Sequence, residues 1–312
     1  MIRFPKSPMT LNIKEVIRKE KILRKHKSIA NYWSLAIRDY FDNKIERYSF
    51  KPLKEFSGSK KVIWQYWGQG IDVESLPEVV RTCFATVEKY KGEYDVIRLS
   101  DDTVGDYIEL PDFIKEKLSN GQLNRVFFSD LLRLMLLNTY GGVWLDATIL
   151  LTSTLPEEYA KFDYFVFQRD NDEKYRSLLD SPASQYWGWG AKFKVKVLNS
   201  IIYSNKKSEP IQIMMDLLLY HWKTQKRAPT YFFFQILYTE LMEKYLPSKR
   251  CPIVSDFIPH YIQTKILTPS MLAEISYKDI LKKTALHKMT YYKDDALDRF
   301  RSFVSEFEEL LF

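Results

Sequence analysis

SDLLRLMLLNTYGGVWLDAT, residues 129–148, decides how the rest of this chain is read. Its first half belongs to a segment from Gln122 to Tyr140 that reads as a long, mostly apolar helix stopped by Gly141-Gly142. VWLDATILL, 143–151, then reads as a buried strand, because its front half is apolar on both faces. Asp130 and Arg133 are three apart and share a helical face, yet their neighbours Leu131, Leu132, Leu134 and Met135 are apolar. Charges in such surroundings are either paired with each other or line a site. The strand that follows delivers Asp146 toward the carboxyl end, where ligands gather in open α/β sheets. A carboxylate there can hold a divalent cation or a ribose hydroxyl.

Outward from this stretch, KVIWQY (61–66) is a β-branched and aromatic run entering a WGQG loop, and YDVIRL (94–99) is a second strand. Between them Ser75-Leu-Pro-Glu78 has the capping-box pattern and opens a helix to about Lys91, with Gly92 to end it. DYFVFQ (163–168) is a further strand, helices are expected over 209–223 and 230–245, and a C-terminal helix carries Leu297, Phe300, Phe303, Val304, Phe307, Leu310 and Leu311 on one stripe. Strand, helix, strand and helix in succession predict a βαβ sheet. From Ser28 to Phe41, Ile29, Tyr32, Trp33, Ala36, Ile37, Tyr40 and Phe41 follow the 3/4 spacing of one helical face, after the basic run KEVIRKEKILRKHK. That stripe either packs on the main domain or joins the basic run as a docking surface. KPLKEFSGSKK reads as a linker. The expected division is a basic amphipathic helical region over 1–58 and one α/β domain over 59–312.

The bulk numbers agree with that division. At 312 residues, 46% hydrophobic and 28% charged, with 10 Gly and 13 Pro, the chain is globular and neither disordered nor collagenous. Cys83 and Cys251 make no disulfide framework and no metal spacing, which fits a reducing compartment. MIRFPKSPMT lacks the apolar core of a signal peptide and no apolar stretch approaches 18 residues. The expectation is a cytoplasmic protein, peripheral at the inner face of the plasma membrane if it meets one. Residues 1–61 hold 16 Lys/Arg and 6 Asp/Glu, a balance of +10, so the rest of this +7 chain carries −3. A basic segment of this kind suits a membrane surface or an anionic assembly partner. Positive charge confined there, without a basic aromatic stripe across the fold, argues against nucleic acid.

SDLLR…YGGVWLDAT resembles the capsular polysaccharide synthesis proteins related to glycosyltransferase family 32, which carry a D-x-x-R…GG-x-x-x-D-x-D signature within a GT-A fold. VIWQYWGQG (62–70), LNSIIYSNKKSEPI (198–211), YFFFQILY (231–238) and ALHKMTY (285–291) resemble further blocks of that family in the expected order, covering roughly residues 60–292. The resemblance implies a GT-A-like single Rossmann-type domain with a mixed, mostly parallel central sheet, a helical N-terminal extension and a C-terminal helix. It also implies a nucleotide-sugar donor such as a UDP-hexose, a lipid-linked oligosaccharide acceptor and retention of anomeric configuration.

Carried over by position, Asp146 is the first carboxylate of the DXD motif, near metal and ribose. Asp130 and Arg133 contact the donor sugar or hold its loop. Gln65, Trp67 and Gly68 border the nucleotide, as do Gly141 and Gly142, and His287 and Lys288 close over the diphosphate. The third DXD position is Thr148, so two-Asp chelation is not available. The expected Mn²⁺ or Mg²⁺ would bind through Asp146, His287 and the diphosphate. Trp187, Trp189 and Asn199 stand as acceptor-side residues, or equally as packed aromatics and a turn amide. Two alternatives remain at this point: another nucleotide-dependent enzyme such as a nucleotidyltransferase, although no glycine-rich phosphate loop is present, and a non-catalytic binding or scaffold protein.

Overall fold

The computed structural model describes residues 13–56, 61–181 and 184–312. In chain order it begins with α1 (Ile13–Phe41), β1 (Lys61–Tyr66), α2 (Glu78–Tyr90), β2 (Tyr94–Leu99), α3 (Asp112–Ser119) and α4 (Arg125–Tyr140). There follow β3 (Gly142–Leu145), β4 (Ile149–Leu151), β5 (Tyr164–Gln168), α5 (Arg176–Leu179), β6 (Val197–Ser204), α6 (Glu209–Thr224) and α7 (Phe233–Lys244). The C-terminal part adds α8 (Tyr261–Leu267), α9 (Tyr277–Leu281), β7 (Leu286–Lys288), α10 (Asp295–Glu306) and α11 (Glu308–Leu311).

The central sheet has the order β2-β1-β3-β6-β5. β1 is parallel to β2 and β3, whereas β6 runs against both β3 and β5. Four strands therefore share one direction and β6 alone opposes them, the mixed, mostly parallel sheet of a GT-A-like α/β fold. KVIWQY and YDVIRL form strands over the expected residues, because β-branched and aromatic side chains fill a half-buried pleated surface.

The apolar run 143–151 is not one strand. It breaks at Asp146-Ala147-Thr148, where the Ile149 amide donates to the Asp146 carbonyl (2.9 Å). β4 then leaves the central sheet and pairs antiparallel with β7, placing Ile149 opposite Lys288 and Leu150 opposite His287. Both halves are buried, so hydrophobicity alone gave no sign of the turn. The break is what leaves Asp146 at a strand's carboxyl end.

Two further expectations differ. Ser75 does not cap α2; its hydroxyl donates to the Asp72 carbonyl (2.8 Å), and the helix opens after Pro77. The C-terminal stripe bends at Phe307 into α10 and α11, with Phe300, Phe303 and Leu311 buried.

The stripe on α1 is consumed by packing. Trp33 is fully enclosed, packs against Phe233 with ring centroids 4.4 Å apart and the planes tilted by 34°, and donates from Nε1 to the Phe233 carbonyl (3.2 Å). Burying Ile29, Trp33 and Ile37 contributes roughly 1.5–3 kcal/mol each, which fixes this half of α1 into the same apolar core as the sheet. The first turns instead project Ile13, Val16 and Ile17 outward. Among the described residues no helix is long and apolar enough to cross a membrane.

Candidate active site

At the carboxyl ends of β1 and β3 lies a cleft of about 460 Å³. Trp67 and Gly68 reach it from β1, Asp146 and Thr148 from the turn after β3, and Asn199 and Ser200 from the opposing β6. Helix α4 starts at its rim, where the Asn124 side chain accepts from the Val126 (3.1 Å) and Phe127 (3.2 Å) amides. One turn further in, Ser129, Asp130 and Arg133 face the cleft. Lys288 enters from β7.

These residues form a four-charge cluster. Arg133 Nη2 lies 3.1 Å from Asp130 Oδ1 and 3.5 Å from Asp146 Oδ1. The other guanidinium donors hold the backbone, Nε to Ser129 O (3.0 Å) and Nη1 to Asn199 O (2.6 Å). With its donors engaged and the side chain only 4% exposed, Arg133 positions the two carboxylates. Trp144 Nε1 donates to Asp146 Oδ1 (2.8 Å) from below, and Lys288 Nζ lies 3.1 Å from Asp146 Oδ2 and 2.8 Å from Thr148 Oγ1.

The two carboxyl groups differ in environment. Burial, reinforced by the charge of Asp146, raises Asp130 to about 7 against the pull of Arg133 and Asn199. Burial would also raise Asp146, but Lys288 and Arg133, with the Trp144 N–H, hold it well below the usual carboxylate range. The folded state thus favours protonated Asp130 relative to the unfolded chain. That stability is fully present below about pH 4 and lost as pH rises through about 7. Burial lowers all four histidines to about 4 or about 3, so each acts in the opposite sense, with stability present above about pH 6.5 and lost as pH falls toward its folded value. The contribution of Asp130 is read against the unaltered chain: the melting temperature of Asp130→Asn is expected to gain on that of the unaltered protein as pH rises from 5 to 8.5. An equal slope in that variant would place the titrating group elsewhere.

Not every expected residue arrives at the cleft. Gln65 is fully buried and accepts from Arg98 Nε (3.1 Å) on the neighbouring strand. Gly141 and Gly142 lie at the opposite, amino end of β3. Their φ angles of 75° and 102° close α4 and bring β3 against β1, where a Cβ on Gly142 would run into the Val62 carbonyl. Gly68 does line the cleft, and a Cβ there would meet Asp101 Oδ1 and Arg125 Cδ at 2.7 Å. Trp187 and Trp189 clasp the buried Arg169 instead, with their rings 4.6 and 4.8 Å from its guanidinium carbon; Tyr186 is the aromatic of that motif that lines the cleft.

His287 also turns away. Successive strand side chains point to opposite faces, so with Lys288 directed at Asp146, His287 faces the interior, its Nε2 3.0 Å from Thr152 Oγ1. The expected ligand pair Asp146 and His287 is thus not assembled. Both oxygens of Asp146 already meet cationic donors, and among the described residues no three Asp, Glu, His or Cys side chains are grouped to hold a metal ion. This donor set does not fit a chelated Mn²⁺ or Mg²⁺.

Asn199, one of the residues named from the sequence, does reach the cleft, and it is joined there by Gln235, Gln263, His260 and Tyr231, which the sequence did not single out. Asn199 Nδ2 donates to Asp130 Oδ1 (2.8 Å), and Asn199 Oδ1 accepts from Gln235 Nε2 (3.0 Å). Gln235 and Gln263 line the cleft, and the Oε1 of each is buried with no hydrogen-bond partner among the described residues. Orphaned buried acceptors are rare unless a ligand or water satisfies them. His260, whose Nδ1 donates to the Asp256 carbonyl (2.6 Å), and Tyr231 complete that side. Polar residues interrupting the apolar runs YFFFQ and PHYIQ were the available signal.

The fold and the cleft together define a mixed α/β protein that carries a carboxylate, an ammonium and unsatisfied amide acceptors at the carboxyl edge of its sheet. The chain belongs to the capsular polysaccharide synthesis protein family, whose profile matches residues 13–307. Among solved structures, one titled "PaToxG Glycosyltransferase" aligns over 96% of this chain and 98% of that chain, at 11% identity and a TM-score of 0.37. No curated protein matches the sequence.

Proposed function

We propose that this protein is a glycosyltransferase of capsular or other surface polysaccharide assembly, taking its sugar from a nucleotide donor, a UDP-hexose for choice, and passing it to a lipid-linked acceptor. The observation that carries the reading is the Asp130–Arg133–Asp146–Lys288 cluster at the carboxyl edge of the sheet, in a member of this family. Transfer breaks the bond between the sugar's anomeric carbon and the diphosphate oxygen, and the electron pair stays on that oxygen. The acceptor hydroxyl oxygen bonds to the anomeric carbon, and its proton leaves to the released nucleoside diphosphate or to solvent. Cationic donors fixed beside the departing oxygen stabilise the charge as it develops. The orphan oxygens of Gln235 and Gln263 suit the hydroxyls of a sugar, and Trp67 and Tyr231 suit its apolar C–H faces. Retention of configuration belongs to this proposal through the family resemblance.

The test is incubation with a panel of nucleotide sugars. Release of the nucleoside diphosphate from one donor, by hydrolysis or transfer, is the expected result. Release of pyrophosphate would indicate nucleotidyl transfer, and release of neither product from any donor would leave a binding protein.

A further inference from the structure

The third position of the acidic motif is a threonine, and a lysine lies against it. Lys288 Nζ is 2.8 Å from Thr148 Oγ1 and 3.1 Å from Asp146 Oδ2, so one ammonium bridges the first and third side chains of Asp146-Ala147-Thr148. These are the first and third positions of the motif at which the family resemblance implied a cation. The bridge is built by the backbone. Ile149 pairs with Lys288 in the β4–β7 register, and the Met289 amide donates to the Thr148 carbonyl (2.8 Å), which fixes Lys288 beside Thr148. Its side chain is 18% exposed, enclosed enough to hold its direction and open enough to meet a ligand.

The other oxygen of Asp146 is occupied as well, by Trp144 Nε1 at 2.8 Å and Arg133 Nη2 at 3.5 Å. A metal ion would have to displace an ammonium that already has two well-placed acceptors, and it would find no imidazole, because the strand alternation that aims Lys288 inward sends His287 into the core.

We propose that the Lys288 ammonium replaces the divalent cation in this site, so that a nucleoside diphosphate is held, and its departing oxygen neutralised, without a metal ion. Thr148 then has a purpose that Asp could not serve as well. A hydroxyl orients the ammonium without adding a second full negative charge, which leaves the cluster able to accept the anion. Lys is suited to the position as a compact point charge with three donors, two for Asp146 and Thr148 and one for phosphate. The inference rests on the nucleotide-binding reading above.

The experiment is calorimetric titration of the full chain with UDP, and separately with GDP, in excess EDTA and again with Mn²⁺. The expected result is one affinity in both buffers for the nucleotide that binds. Lys288→Met, similar in length but uncharged, should weaken that binding about 10- to 100-fold, as loss of a charge-assisted hydrogen bond does. Binding that appears only with Mn²⁺ overturns the replacement and leaves the nucleotide site standing. Unchanged affinity in a folded Lys288→Met also overturns it. If that variant does not fold, the EDTA comparison on the unaltered protein still decides. No binding of either nucleotide in either buffer removes the nucleotide reading together with this one.

Discussion

An Asp146→Asn variant is expected to lose roughly 100- to 1000-fold in donor turnover, the range seen when a single preorganised electrostatic group is removed from an active site. Asp146 joins the two cationic side chains: Oδ1 faces Arg133 and Oδ2 faces Lys288. An amide keeps an acceptor for Trp144 Nε1 but carries no charge, so the guanidinium and the ammonium would repel each other with nothing between them. Lys288 would then be held by Thr148 alone. The fold should tolerate the change, because the side chain is 22% exposed at a strand end and its backbone bond to the Ser200 carbonyl (2.9 Å) is unaffected. Turnover assays with circular dichroism as the control provide the check, and full activity in a folded variant would remove the proposed site.

The second large effect is on stability and comes from a pair outside the charge cluster. Arg169 and Asp256 meet side by side at 3.0 and 2.9 Å, with side chains 2% and 0% exposed. Arg169 also donates to the Gly188 (2.8 Å) and Tyr186 (3.0 Å) carbonyls, and the Tyr186 hydroxyl donates to Asp256 (3.0 Å). Arg169→Met should cost about 3–5 kcal/mol, because it strands a buried carboxylate. For a chain of this size that lowers the melting temperature by roughly 5–8 °C. The double variant Arg169→Met with Asp256→Leu should recover part of the loss, since replacing both partners leaves no unpaired charge. A single variant that unfolds with less than about 1 kcal/mol of loss would show the pair to be solvated in solution. Tyr186 and His260 both line the cleft and both hang from this pair or its backbone, so the destabilised variant should also bind its ligands less well.

How much of this was legible in the sequence depended on whether a residue's partner was local. β1 and β2 were readable to the residue because propensity and flanking breakers act within a few positions. The helix bearing Asp130 and Arg133, and a buried strand carrying Asp146, followed from spacing and burial. The split between β3 and β4 did not, since the pairing that draws β4 away comes from β7, more than a hundred residues later. His287 and Lys288 were both assigned to the cleft through the family resemblance, although period-two alternation allows only one of two adjacent strand residues to face it. Gly141 and Gly142 were rightly read as the helix stop, but they sit at the amino end of the strand whose carboxyl end forms the site. Trp187 and Trp189 could be read equally as acceptor-side residues or as packed aromatics, because Arg169, which they enclose, is brought to them only by the fold. Gln235 and Gln263 gained meaning only once the structure left their oxygens without partners.

The seating of Trp33 on Phe233 has a consequence for how the chain is made. The two residues are 200 positions apart, and a ribosome adds roughly 5–20 residues each second. For about 10–40 s the apolar stripe of α1 therefore exists without the surface it covers in the finished molecule, and the nascent chain must carry it exposed or in the hands of a chaperone. A helix made well before its partner is among the last to be seated.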